Sequence, residues 1–449
     1  MHDPYAALRN RNYQRYAIGF FSGATGLQAL GTAIGWEIYD RTGDALSLGL
    51  TGLARALPVV LLALPAGHAA DAYERRTIIV CSQAAFALCA LVLAAVAWMH
   101  APTWIIFAML VSMGVARAFN GPARSSFLPT IVPMDIFHNA VAWTSSGFQL
   151  AAVVGPMVAG WIIHETGSAT AVYLLAAVGN AVFAVTVTTI TPLTRAAPSG
   201  KYSVGAMLAG MSHLWREKTI LGAITLDLFA VLLGGATALM PIFAEDILDA
   251  GAVGLGALRA APFVGAFLMG VYIAHRPPFK RSGRALLWSV IGFGIATIVF
   301  GFSRNLWLSL AMLVILGAVD NISVVIRHVL VQVRTPDHLR GRVGAVNSLF
   351  IECSNELGAF ESGAVAKLLG PVFAVVSGGI GTILVALGVG ASLPELRRLG
   401  ELKEEPAKAG AAARPPLTTT TCSTCGVELP SMNEEKCPEC GAQQLVTQK

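Results

Sequence analysis

The sequence GHAADAYERR, residues 67–76, separates two apolar runs that are each long enough to cross a bilayer. The hydrocarbon core of a bilayer is about 30 Å thick, and roughly 20 helical residues cross it. A turn this short must therefore return the chain into the membrane at once. Gly67 lets two helix ends approach closely. Asp71, Arg75 and Arg76 must lie at the membrane surface, because charged side chains are costly in lipid.

The composition of the whole chain is that of a membrane protein. Of its 449 residues, 55% are hydrophobic and only 13% are charged, which is too apolar for an ordinary soluble protein. The polar first residues precede an apolar run too long for a cleavable signal peptide. We therefore predict an all-α membrane protein with twelve transmembrane helices. The predicted spans are 14–39, 47–68, 77–99, 103–127, 137–164, 168–191, 219–247, 252–274, 285–303, 305–332, 341–368 and 370–393.

Lysine and arginine are distributed very unevenly over the connections between these spans. If both termini are cytoplasmic, only Arg41, Arg304 and Lys367 fall on the opposite side of the membrane. Short cytoplasmic loops carry the excess of basic residues. The chain is thus predicted to be a multi-pass protein of the cell inner (plasma) membrane with cytoplasmic termini. Its formal charge of +5 follows from this orientation and gives no reason to expect nucleic acid as a partner.

The two halves of the chain repeat one another. The segment Arg55-Ala56-Leu57-Pro58 is echoed by Arg259-Ala260-Ala261-Pro262, and a basic turn follows each. Two pseudo-symmetric six-helix bundles are the simplest interpretation. The predicted domains are an amino-terminal bundle (1–191), a cytoplasmic connector with an amphipathic helix (192–218), a carboxy-terminal bundle (219–399), a flexible linker (400–421) and a tail (422–449).

Three motifs resemble those of the major facilitator superfamily of transporters. The turn at 67–76 has the spacing of the loop between helices 2 and 3 of that superfamily. In the fifth span, Gly155-Pro156 and Gly160 are similar to its exporter-type motif. Arg117, followed by Asn120 and Gly121, is similar to a signature of the fourth helix. Over roughly residues 5 to 400, the chain resembles the siderophore and macrolide exporter branch.

This resemblance implies an alternating-access carrier. The fifth helix would act as a gate, because proline bends a helix and small residues permit close packing. The turn that contains Gly67, Asp71, Arg75 and Arg76 would clamp helix ends in the outward-facing state. The lipid bilayer, protons and a small molecule are the partners that such a carrier implies.

Ionisable residues within the predicted spans are candidates for transport and proton coupling, because burial of charge in a membrane is costly. These candidates are Arg117, Asp227, Asp320, Glu352 and Glu356. A buried carboxylate tends to keep its proton, and a nearby arginine reverses that preference. The resemblance implies that helices 1, 4, 7 and 10 line the cavity, so that Arg117, Asp227 and Asp320 would point at the substrate path. The structural alternative is that Asp320 pairs with Arg327 and that Glu356 faces water.

The sequence shows neither an enzyme constellation nor a nucleotide-binding loop, so the chain is not expected to be an enzyme. We predict a secondary active transporter, a proton-coupled efflux carrier (antiporter) for a small hydrophobic or chelating molecule of siderophore or drug type. One alternative is a solute uptake carrier of the same fold. Another is a membrane sensor that does not transport and docks a partner through its tail.

The tail contains two Cys-x-x-Cys pairs that are each followed by glycine. Two such pairs can place four thiolates tetrahedrally around one zinc ion. A cytoplasmic position keeps thiols reduced and favours metal over disulfides. We predict a structural zinc site, similar to a small zinc ribbon, that could bind a cytoplasmic protein; redox-active or iron-binding thiols are the alternative. The predicted ligands are Cys422, Cys425, Cys437 and Cys440.

Overall fold

The structure is a computed structural model that describes most of the chain. The described residues are 3, 5–193, 211–212, 214–215, 217–234, 236–277, 279–400, 420–421 and 428–429. The chain divides into two compact units, Met1–Leu402 and Lys403–Lys449.

The first unit contains twelve long helices in its described part. They are α1 (Arg11–Thr42), α2 (Ala45–Ala72), α3 (Arg75–Trp98), α4 (Trp104–Ile131), α5 (Phe137–Thr166), α6 (Thr170–Thr188), α7 (Lys218–Leu233), α8 (Gly251–Ala274), α9 (Ser282–Phe302), α10 (Leu306–Arg334), α11 (Asp337–Leu369) and α12 (Pro371–Ser392). Short helical segments are Ala6–Arg9, Met134–Ile136, Ala236–Leu239, Met240–Ile242, Phe243–Ile247 and Pro394–Arg397. The prediction of an all-helical membrane fold is thus confirmed for the described part of this unit.

Eleven helical stretches in the described part are long and apolar enough to cross a membrane. The stretch Lys218–Ile247 counts as one of them and joins α7 to the short helices that follow it. Among the twelve long helices, α11 is the exception. It has 33 residues, but Glu352, Glu356 and Glu361 make its middle more polar. The eleventh predicted span, 341–368, is therefore present as a helix, and its crossing of the membrane stays a prediction.

Local sequence signals begin and end several of these helices. Asn10, Asp44 and Asn305 accept hydrogen bonds from backbone amides in the first turns of α1, α2 and α10. Such side-chain caps satisfy amides that have no partner within the helix. Gly43 and Gly167 end α1 and α5 with positive φ angles of 58° and 63°, a conformation that glycine adopts without strain.

Helix pairing in the first half recurs in the second. The helix α1 packs on α5 and α6, α2 on α4, and α3 on α4 and α6. Six helices later, α7 packs on α11 and α12, α8 on α10, and α9 on α10 and α12. The two main contacts between the halves are α2 with α11 and α5 with α8. They are equivalent under the repeat, because α8 corresponds to α2 and α11 corresponds to α5. The repeat seen in the sequence is therefore also a repeat of packing.

Among the described residues, the buried apolar core that joins the halves lies toward one end of the helices. We call this end the far face; it contains the connections at 43–44, 99–103, 167–169, 248–250, 303–305 and 370. The opposite end, where α1 begins and α12 ends, is the terminal face. One buried apolar cluster combines residues of both halves, such as Ile38, Ile163 and Phe243, near the far face. Toward the terminal face the core divides into one cluster in each half.

Small residues make the contact at the far face close. A Cβ atom on Gly363 of α11 would lie 2.7 Å from the Cα atom of Gly49 in α2. A Cβ atom on Gly256 of α8 would lie 2.5 Å from the carbonyl oxygen of Pro156 in α5. Any larger side chain at these positions would force the helices apart. Backbone packing thus holds the halves together on this side.

The structure describes only a few residues of the predicted connector and of the second unit. Of the predicted connector helix, Met211, Ser212, Leu214 and Trp215 are helical; the rest lies outside the described residues. In the second unit, strands Thr420–Thr421 and Glu428–Leu429 pair antiparallel, with Thr420 opposite Leu429. The four predicted zinc ligands lie outside the described residues.

Candidate functional site

Two arginines of the first half meet two glutamates of the second half near the middle of the helices. The Arg55 Nη2 atom in α2 lies 3.2 Å from Glu356 Oε2 in α11. The Arg117 Nη2 atom in α4 lies 3.2 Å from Glu352 Oε1, and its Nη1 atom lies 3.8 Å from Glu356 Oε1. We call these four residues the interface cluster. It brings together three of the five ionisable candidates and adds Arg55.

Helix periodicity explains the geometry of the interface cluster. Glu352 and Glu356 are one turn apart and therefore lie on the same face of α11. Arg55, Arg117 and Glu356 are each about 15–20 Å from the far ends of their helices, at 1.5 Å per residue. All four members of the cluster line a cleft together with Ala56, Val59, Val60 and Cys353. The cleft thus combines four charged side chains with apolar side chains of α2.

The two glutamates differ in their contact with solvent. The Glu356 side chain is 14% exposed and touches both arginines, whereas the Glu352 side chain is 41% exposed. The alternative that Glu356 simply faces water is therefore wrong. Removal of its charge would leave guanidinium groups with fewer partners in a partly desolvated cleft, which is costly.

The other two acidic candidates form a separate group inside the second half. Asp227 of α7 forms an ion pair with Arg327 of α10, and both side chains are buried. Asp320 is half-buried and interacts electrostatically with both of them. The ion pair that Arg327 makes is therefore with Asp227, and the structure does not bring Asp227 or Asp320 to Arg117.

The candidate gate residues pack against two different helices. A Cβ atom on Gly155 would lie 2.7 Å from the carbonyl oxygen of Thr25 in α1, within the first half. A Cβ atom on Gly160 would lie 2.5 Å from the carbonyl oxygen of Ala252 in α8, within the second half. Pro156 lies between them and contacts α8 as well. This part of α5 thus packs closely against a helix of each half. A gate would need such contacts, and the gating role stays a prediction.

The charged turn within residues 67–76 is shorter than predicted. The second predicted span, 47–68, continues as helix to Ala72, so Gly67 and Asp71 belong to α2. Side-chain surroundings of Asp71 lie outside what the structure describes. Arg75 donates a hydrogen bond to the carbonyl oxygen of Ser126 in α4, at 3.1 Å, and Arg76 donates to that of Thr188 at the end of α6. The arginines thus bind carbonyl groups near helix C-termini, where cations are favoured.

Two arginines within the helices were not predicted as functional residues, because the sequence pattern was used only to identify the internal repeat. Arg55 and Arg259 are the first residues of the two repeated segments, and each lies inside an apolar helix. The rule that selected the acidic residues, charge within a membrane span, would also have selected these two. Glu37 also lies within a predicted span and was not among the candidates. It is buried in α1, where it accepts a hydrogen bond from Tyr173 and pairs with Arg41.

Residues 2–418 match the family described as "Transmembrane secretion effector". The chain belongs to this family of major facilitator superfamily transporters. The predicted superfamily is therefore confirmed.

Named relatives and solved structures agree with this family. The enterobactin exporter EntS of Escherichia coli O1:K1 is 22% identical over 379 residues, which cover 84% of this chain and 91% of the relative. The nucleoside transporter NupG has a TM-score of 0.68 at 13% identity and covers 85% of this chain and 98% of its own. A bacterial homologue of the human lysosomal transporter Spinster, in an inward-facing and occupied conformation, has a TM-score of 0.68, covers 88% and 99% and is 13% identical. These relatives and neighbours are transporters, in agreement with the prediction that the chain is not an enzyme.

Proposed function

We propose that this protein is a secondary active transporter that works by alternating access and exports a small molecule in exchange for protons. The interface cluster carries the proposal, because it places two titratable carboxylates between the two halves that must move apart. The division of the core toward the terminal face supports a cavity that opens on that side. If the termini are cytoplasmic, the terminal face is the cytoplasmic side. The conformation with a cavity open to that face would then receive substrate from the cell interior.

Protonation of the two glutamates would weaken the connection between the halves. When Glu356 and Glu352 are ionised, they attract Arg55 and Arg117 across the interface. A protonated carboxyl loses most of that attraction, since the interaction between full charges is removed. The carrier would therefore return from the outward-facing state with these carboxyls protonated, release the protons inside and restore the ion pairs. Asp227 suits this role less well, because Arg327 holds it inside the second half.

The substrate class follows from the family and from the walls of the cleft. EntS is named an enterobactin exporter, and the apolar residues Ala56, Val59 and Val60 in the cleft lining support contact with a hydrophobic body. We infer a small hydrophobic or chelating substrate of siderophore or drug type. The membership in a secretion effector family favours export over uptake and over a sensor that does not transport.

Reconstituted vesicles test this proposal directly. Purified protein in liposomes is given enterobactin as the probe, with and without an imposed pH gradient. We expect Glu356→Gln together with Glu352→Gln to abolish acceleration by the gradient and to retain exchange of substrate down its own gradient. Glu361→Gln is the matched control, because Glu361 lies on the same helix and contacts Ser362 rather than an arginine.

Two results would refute this assignment. Full gradient-driven flux in the Glu352/Glu356 double variant would exclude these residues as proton carriers. If Asp320→Asn loses flux driven by the pH gradient and the double variant keeps it, the proton-binding residue is Asp320, inside the second half.

For the tail, we propose that Cys422, Cys425, Cys437 and Cys440 bind one zinc ion. Two observations support this proposal: the spacing of two Cys-x-x-Cys pairs, and a pair of antiparallel strands whose connection, 422–427, contains the first cysteine pair. Four thiolates complete a tetrahedral zinc site and leave no position for substrate, so the ion would stabilise the tail. The folded tail would then offer a surface to a cytoplasmic protein.

A further inference from the structure

Arg259 of α8 has an unusual environment for a cation inside a membrane protein. Its side chain lies between the halves, and its Nε atom is buried without a hydrogen-bond partner. No carboxylate among the described residues forms an ion pair with it, whereas Arg327, Arg41 and Arg55 each have one. A guanidinium group carries five N–H donors and stays charged at physiological pH. Arg259 as a whole is partly buried, but an Nε–H donor buried without an acceptor is costly, so its position calls for a partner.

Two glycines of α1 make room for the guanidinium group. A Cβ atom on Gly35 would lie 2.8 Å from the Nη2 atom of Arg259, closer than atoms tolerate without a shift. A Cβ atom on Gly31, one turn earlier, would lie 3.6 Å from the Nη1 atom, which is an ordinary contact. The Arg259 side chain therefore crosses from the second half and rests against the first.

Arg259 also extends the interface cluster. It is close enough to Arg55 for the two positive charges to repel each other. Together, Arg55, Arg117 and Arg259 bring three positive charges to this region, whereas Glu352 and Glu356 bring two negative charges. One positive charge thus has no counterpart among these residues. An added anion would relieve the repulsion and could accept the hydrogen bond that the Arg259 Nε atom lacks.

We propose that Arg259 and Arg55 bind the anionic group of the substrate, and that the substrate class is an organic anion with an apolar body. This inference rests on the proposed transport function and names its substrate. A carboxylate or a catecholate fits a guanidinium group because two parallel N–H···O bonds form. A substrate anion at Arg55 competes with Glu356 for the same guanidinium. Substrate binding therefore weakens the contact between the halves, and once the far face has opened Glu356 is free to accept a proton from outside.

A binding measurement on the full-length protein tests this proposal without any transport assay. The probes are 2-naphthoate and 2-naphthamide, which have the same ring system and differ in charge. Binding is measured by thermal shift and by isothermal titration in nanodiscs of phosphatidylcholine. We expect naphthoate, and not naphthamide, to bind and to stabilise the protein. Arg259→Gln should weaken naphthoate binding by about tenfold or more, the size expected for loss of a charged hydrogen bond.

A pair of glycine variants covers the case in which Arg259→Gln does not fold. The atoms nearest to the added Cβ in Gly35→Ala belong to the flexible end of Arg259 and to the Pro241 ring, so this variant should fold, displace the guanidinium group and weaken binding. Gly31→Ala, on the same helix, should bind naphthoate as the wild type does. Equal weakening by the two variants would contradict the geometry.

Other outcomes would overturn the proposal. Equal binding of naphthoate and naphthamide would show that charge is not recognised. Unchanged naphthoate binding in Arg259→Gln would exclude Arg259 as its ligand. Loss of naphthoate binding when phosphatidylglycerol replaces phosphatidylcholine would assign the site to lipid headgroups. If binding behaves as expected but pH-driven flux does not depend on Glu356, the anion site stands and the proposed proton coupling fails.

Discussion

The contact between α2 and α11 should be sensitive to a single methyl group, which makes Gly363→Ala a sharp test of how the halves close. The added Cβ atom would lie 2.7 Å from the carbonyl oxygen of Ala45 and 2.7 Å from the Cα atom of Gly49. Both are backbone atoms, so they cannot rotate away. Ordinary contact requires a separation of about 3.4–4 Å, so the helices must part by roughly 1 Å, at an overpacking cost of about 1–3 kcal/mol.

This cost applies only to the state in which the far face is closed. A cost of 1.4 kcal/mol changes an equilibrium constant about tenfold, so Gly363→Ala should shift the equilibrium toward a far-face-open state by about 5- to 140-fold. The matched control is Gly344→Ala on the same helix, where an added Cβ atom meets nothing within 4 Å. Both variants share the gain in helix propensity that alanine brings.

Spin labels across the far face measure this shift. Thr166, at the end of α5, and Glu245, shortly before α8, are both exposed, and cysteines at these positions are labelled in a chain whose native cysteines are serine. Double electron–electron resonance measures the distance between the two labels. The population at longer distances should be larger for Gly363→Ala than for Gly344→Ala. Identical distance distributions, at unchanged thermal stability, would refute the argument that backbone contact at Gly363 holds the far face closed.

Three further predictions concern stability. Asp227→Asn should destabilise the protein by about 3–5 kcal/mol because it leaves Arg327 buried without a counter-charge, and Asp227→Leu with Arg327→Met should recover most of that loss in detergent unfolding. The Lys367 ammonium 2.8 Å away lowers the pKa of Asp44 below its usual 3.8, so the contribution of this pair is complete above pH 3.8 and is lost as pH falls through the lowered pKa; Asp44→Asn should remove this dependence of Tm on pH. Elemental analysis of the full-length protein should find one zinc ion per chain and none after the cysteines at 422–440 are changed to serine, and zinc in the serine variant would contradict the proposed ligands.

The sequence by itself determined the helices and the repeat. A run of some 20 apolar residues has one stable conformation in lipid, because every backbone polar group must be satisfied within the helix. The charges at the ends of the runs then limit where each helix can stop. The structure divides the predicted seventh span, 219–247, into α7 and three short helical segments. It also revises the first turn, where α2 continues to Ala72. Small residues such as those of 67–72 favour neither a helix nor a loop strongly, and packing decided the boundary.

The partners of the charged residues were decided by the tertiary structure alone. Periodicity placed Glu352 and Glu356 on one face of α11, but it could not show which helix that face would meet. Arg117 and Glu352 are 235 positions apart, and they meet because glycines let α2 and α11 approach closely on the far face. In the same way, Asp227 lies near the middle of an apolar helix by sequence, yet packing turns it toward Arg327. A charge inside a membrane must find a partner, and only the arrangement of the helices determines which one it finds.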